Sequence, residues 1–98
     1  MNDERDFLTV TLRRPLEDTS GNIRYESVTL TEPALMQVEQ FYDIQKKSNT
    51  LAAMRLLVSL VSGVPEGIIR RMMYTDFRRC EEYLLGFLTW TPSDGGGS

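Results

Sequence analysis

The stretch LAAMRLLVSLV, residues 51–61, decides the architecture of this 98-residue chain. Ala, Met, Leu and Arg dominate it and neither Gly nor Pro interrupts it, which predicts a helix. At 100° per residue its one strongly polar strip is Arg55, Ser59 and Ser62, which lie within about 60° of one another. A helix apolar around most of its circumference cannot rest on the surface of a small monomer. Either the other elements wrap it or it meets a second subunit. It is far shorter than the roughly 20 residues that cross a bilayer, so it is read as buried or interfacial. Ser48-Asn49-Thr50 precede it as a break and cap. Ser62-Gly63 end it, where glycine can take the left-handed conformation.

Working outward toward the N-terminus, Thr31-Glu32-Pro33 is a helix-start signal for a helix over about Pro33 to Lys47. Its inward stripe is read as Ala34, Leu35, Val38, Phe41, Tyr42 and the stem of Gln45. FLTVTLR (Phe7–Arg13) alternates with the period of a half-buried strand, Leu8, Val10 and Leu12 on one face, and Pro15 is expected to end it. The polar segment Leu16 to Asn22 reads as a loop, and a second strand runs from Ile23 to Leu30. Ile23 and Tyr25 share one phase of that strand and Val28 and Leu30 the other, so a bulge is expected near Glu26–Ser27. The two strands predict an antiparallel hairpin whose apolar face the helices must cover. In the other direction, Pro65 opens a short helical piece, Glu66 to Met73. Thr75-Asp76 opens a last helix, Asp76 to about Thr89, which buries Phe77, Cys80, Tyr83, Leu84, Phe87 and Leu88. The expected class is α+β: an N-terminal antiparallel β-hairpin packed on three to four α-helices. Residues 1–6 form a flexible N-terminus, 7–90 a single domain and 91–98 a flexible glycine-rich tail.

Composition narrows the chemistry. Acidic residues number 14 against 11 basic, a formal net charge of -3, which argues mildly against nucleic-acid binding. There is no histidine, hence no usual general base near neutral pH and no imidazole metal ligand. One cysteine excludes an intramolecular disulfide and suits a reducing compartment. Cys80 lies in the apolar stripe of the last helix with no histidine to activate it, so it reads as a structural residue. The start MNDERDF carries no apolar run behind a basic segment, so no secretory leader is expected. Neither a phosphate loop nor paired carboxylates occur, and the expectation is a non-enzymatic protein without cofactor or metal.

By elimination the function is binding. Arg70-Arg71 with Arg78-Arg79, interleaved by Tyr74 and Phe77, is the one basic feature. It would serve a small regulatory or nucleic-acid-binding adaptor if all four guanidiniums converged on one exposed face. The alternative is an apolar groove with these arginines as its polar rim. Ile68, Ile69, Met73 and Leu85 are the apolar candidates to line it, and Met73 and Leu85 fall on the outward side of the helical wheel.

Several segments together resemble the small tail assembly chaperones of long-tailed phages: TVTLRRPLE, YESVTLTEPAL, SGVPEGII and DFRRCEEYLLGFL. The nearest resemblance is to the E-type proteins of P2-like phages and their Mu-like relatives. The residues that carry it are Thr11 to Pro15, Tyr25 with Val28 to Pro33, Ser62 to Pro65, and Asp76, Phe77, Gly86, Phe87 and Leu88. The likeness implies a protein of virion morphogenesis that coats the phage tape measure protein and keeps it soluble while the tail tube forms. It also implies a host-cytoplasm location, absence from the mature virion, and in many members a longer frameshifted form. The DGGGS ending is suggestive there, because consecutive glycine codons can contain a run of guanines. A homo-oligomer is expected from the apolarity of residues 51–61 and of Ile68-Ile69, and neither nucleic acid nor membrane is expected as a partner.

Overall fold

Asn49 and Gly63 bracket the central helix as the sequence requires. The Asn49 side chain accepts from the Ala52 N–H at 2.8 Å. Gly63 sits at φ 79° and donates its N–H to the Ser59 carbonyl. In this computed structural model, which describes residues 7–91, the order is β1 (Phe7–Glu17), β2 (Arg24–Thr31), α1 (Leu35–Lys47), α2 (Thr50–Ser62), α3 (Glu66–Ile69) and α4 (Tyr74–Leu88). It is the expected antiparallel hairpin packed against a set of helices, four among the described residues. The flexible segments expected at 1–6 and at 91–98 lie, apart from Thr91, outside the described residues.

The core is continuous. Val10, Leu12, Leu16, Val28 and Leu30 from the hairpin meet Phe41, then Ala53, Met54, Leu57 and Val58 of α2, and Phe77, Cys80 and Leu84 of α4. α2 is wrapped by α1, β2, α3 and α4, the first of the two solutions its apolarity allowed. Its polar strip has a structural use that the helical wheel did not indicate. Arg55 pairs with Glu66 at 2.9 Å, Ser59 donates to the Val64 carbonyl at 2.6 Å, and Ser62 accepts from the Val64 N–H at 3.2 Å. The strip therefore fastens the turn into α3 instead of facing solvent.

Four boundaries differ from expectation. First, β1 does not stop at Pro15 but runs on to Glu17. Pairing is regular from Phe7↔Thr31 to Thr11↔Ser27, then resumes at Leu16↔Tyr25. Leu12 to Pro15 thus oppose the single residue Glu26. The irregularity lies at the expected place in the hairpin, but the extra residues are on the first strand. Pro15, which has no N–H to give a ladder, sits inside the bulge and costs no ladder bond. Second, α3 is a single turn, because Pro65 and Gly67 weaken it and the chain continues through 3₁₀-type bonds from Arg71 to Ile68 and from Met72 to Ile69. Third, α4 begins at Tyr74 with Met73 as its cap, so Asp76 lies within the first turn rather than at the start. Fourth, α1 begins at Leu35, with the Gln37 side chain accepting from the Ala34 N–H at 2.9 Å. Its expected inward stripe is only partly inward. Phe41 is buried, whereas Leu35 is 74 % exposed and Tyr42 about half exposed.

Candidate protein-binding surface

The bulge in β1 turns the Arg13 N–H out of the ladder, and Asp76 receives it. Arg13 N donates to Asp76 Oδ2 at 2.8 Å, and the Asp76 side chain is fully buried. Asp76 Oδ1 has no hydrogen-bond partner; the Arg79 guanidinium stands 3.7 Å away. Arg79 also reaches the Thr11 carbonyl, Arg13 Nη1 reaches the Thr75 hydroxyl, and Arg71 donates to the Glu17 carbonyl. A carboxylate in the first turn of a helix is favoured by the helix dipole. Here it also fastens the first strand to the last helix. The helix-start signal at Thr75-Asp76 does not indicate this role, since the partner of Asp76 is 63 residues away in sequence.

These contacts disperse the basic cluster. Arg71 and Arg79 hold backbone carbonyls of β1, and Arg78 pairs with Glu81. Tyr74 is exposed but Phe77 is buried. Three of the four guanidiniums are thus engaged within the protein, and only one of the two interleaved aromatics is open to solvent.

Two recesses among the described residues bear on the expected site. One, of about 170 Å³, lies between the start of α2, α3 and the start of α4. Leu51, Ile69, Met72, Tyr74 and Phe77 make it apolar and Arg55 and Arg70 stand beside it. Tyr74 and Phe77 stack at 6.5 Å between ring centroids. The other recess, on the outer face of α4, is formed by Arg78, Arg79, Glu81, Glu82 and Leu85. The eight residues singled out from sequence are therefore divided. Ile69 floors the first recess from within the core and Arg70 stands at its edge, whereas Ile68 belongs to the core. Arg78, Arg79 and Leu85 border the second recess, and Arg71 is tied to β1. Met73 is exposed at the cap of α4 while Met72, in the turn before it, is buried. Twelve residues of α4 set Met73 and Leu85 roughly 18 Å apart along the axis. One continuous groove lined by all of them is not formed.

Exposed apolar side chains that the sequence reading placed inside or did not single out are Leu35, Met36 and Tyr42 on α1 and Leu51 on α2. Their signal is contextual: a helical wheel cannot tell which part of a broad apolar face the neighbours will cover.

The surface offers little chemistry. Among the described residues no group of His, Cys, Asp or Glu side chains could hold a metal ion, and no helix is long and apolar enough to cross a membrane. Burial pushes the Cys80 thiol up to about 12, the Asp76 carboxylate adding to the rise and Arg79 partly offsetting it. Native protein at pH 8 is accordingly expected to react with iodoacetamide more than about a thousandfold more slowly than the denatured chain, followed by mass spectrometry. Comparable rates would show that Cys80 is open to solvent.

A family model described as "Phage tail assembly chaperone proteins, E, or 41 or 14" matches residues 9–89. No curated protein and no solved structure matches the chain.

Proposed function

Because the chain belongs to the phage tail assembly chaperone family, we propose that it binds the tape measure protein and holds its apolar helices soluble until tail tube subunits displace it. The observation that carries this reading is apolar side chain left uncovered on the helical side, Met73 and Leu85 at either end of α4 among it. The recess around Leu85 carries both signs of charge, with the Arg78–Glu81 pair closed upon itself. Such a rim suits an apolar stripe of an amphipathic helix better than a strongly charged ligand. Ile68 and Ile69 then act from beneath, fixing the backbone that presents Met73. Flexible methionine and leucine contacts keep binding moderate, which displacement by the tube requires. On the same reading the protein works in the host cytoplasm, self-associates, and is left out of the finished virion. A relationship to the E-type proteins of P2-like and Mu-like phages, with a longer frameshifted form, belongs to the proposal as well.

Co-expression with the tape measure protein tests it. Wild-type chain is expected to keep that protein in the soluble fraction and to elute with it. Met73→Asp/Leu85→Asp, with both substitutions at exposed positions, is expected to fold normally and leave it insoluble. If the wild type itself neither solubilises nor elutes with the tape measure protein, the chaperone role fails. If the double variant works as well as wild type, binding lies elsewhere than the exposed face of α4.

A further inference from the structure

We infer that the apolar recess beside Arg70 is a socket for the first turn of α1 from a second copy of this chain, so that protomers join head to tail. The inference rests on the self-association just proposed and says how it is built.

The two surfaces are complementary in shape and charge. At about 170 Å³ the recess is of the size that takes one leucine- or benzene-sized group. Its open lips are the exposed Leu51 and Tyr74. Arg55 beside it is already paired with Glu66, but Arg70 is exposed and, among the described residues, has no ion pair. An apolar socket with an unpaired cation at its edge calls for an apolar side chain carrying a carboxylate one helical turn away. The first turns of α1 carry that combination. Leu35 and Met36 project into solvent, the latter 66 % exposed, and Glu39 follows Leu35 by four residues. Glu39 has no ion pair among the described residues, whereas Asp43 further along the same helix is neutralised by Lys47 at 3.2 Å. An acid and a base without ion pairs thus each stand beside an uncovered apolar group.

One copy cannot close this contact on itself. Gln37 of α1 reaches the carbonyl of Leu60 near the end of α2, while Leu51 lies at the start of α2. Those two positions are roughly 14 Å apart along the helix. Plug and socket therefore lie toward opposite ends of α2, and in a head-to-tail row each added copy leaves one of each free. Such a heterologous contact propagates into a ring or a helical row instead of stopping at a symmetric dimer.

Sedimentation velocity on the full chain tests the inference. Wild type is expected to form a concentration-dependent series of species. Arg70→Glu, which spoils the socket, and Leu35→Asp, which spoils the plug, are each expected to remain monomeric with unchanged circular dichroism. Mixed, they should give a 1:1 dimer and nothing larger, because one good plug then meets one good socket and both remaining ends are spoiled. Should either variant fail to fold, Tyr74→Asp replaces the first and Met36→Asp the second. A wild type that stays monomeric up to high micromolar concentration overturns the inference together with the self-association it rests on. Assembly by both single variants leaves self-association standing and places the interface elsewhere. Monomeric variants that stay monomeric when mixed exclude the plug-and-socket pairing.

Discussion

Asp76→Ala is expected to lower the unfolding free energy by about 2–3 kcal/mol, through loss of a charge-assisted hydrogen bond and an Arg13 N–H left without its acceptor. For a domain of this size that corresponds to a fall in Tm of roughly 8–24 °C. The size of the effect follows from geometry. Asp76 is fully buried, its Oδ2 is 2.8 Å from the Arg13 nitrogen, and the bulge provides that nitrogen with no partner strand. Asp76→Asn retains an acceptor oxygen and is expected to lose only about 1 kcal/mol. Arg79→Ala removes a half-exposed cation 3.7 Å from the carboxylate and should cost less than about 1 kcal/mol. Denaturant unfolding of the three variants checks the order. An alanine variant no less stable than the asparagine one would mean that the Arg13 N–H finds water or another acceptor.

Leu57→Ala is expected to be at least as costly, about 2–5 kcal/mol, because the residue is fully buried in the middle of α2 and its removal leaves a cavity. α2 is held from several sides at once by α1, β2, α3 and α4, so the neighbours have little freedom to collapse into the gap. The m-value should be unchanged, since the surface exposed on unfolding is nearly the same. A loss below about 0.5 kcal/mol would place Leu57 outside the rigid core.

What was legible in the sequence was local. The caps of α2 read correctly because Asn49 and Gly63 act within one helical turn of themselves. The hairpin read correctly because Leu8, Val10 and Leu12 alternate, and Val28 and Leu30 face them in register. What escaped depended on distant partners. Nothing near Asp76 announces that a strand N–H will be brought to it. Nothing near Arg71 or Arg79 announces that carbonyls of β1 will occupy them. The expected rim divided for the same reason: four arginines close in sequence were read as a unit, and the fold engages Arg71, Arg78 and Arg79 with different partners while Arg70 stands at the edge of the recess between α2, α3 and α4. On α1, Leu35 and Phe41 both look like core residues on a wheel, yet only Phe41 meets neighbours that bury it. Leu85 was placed outward correctly, because α4 has a polar side dense enough to orient it; Met73 is also exposed, but at the extended cap that precedes the helix.

The bond between Arg13 and Asp76 also has a place in time. The chain leaves the ribosome from its N-terminus at about 5–20 residues per second, so the bulge is exposed for several seconds before its acceptor, 63 residues later, has been made. Until α2 is made to pack against β2 the hairpin has no covering layer, and a two-stranded ribbon in that state is barely stable in water. α1 and α2, joined by a short connection, can dock against each other early. Nascent chains arrested after α2 should therefore show a protected helical pair and a bulge segment of β1, around Arg13, that is still unprotected. Protection of that segment should arrive only when α4 emerges, so that a late stretch of the chain sets the moment at which an early one becomes folded.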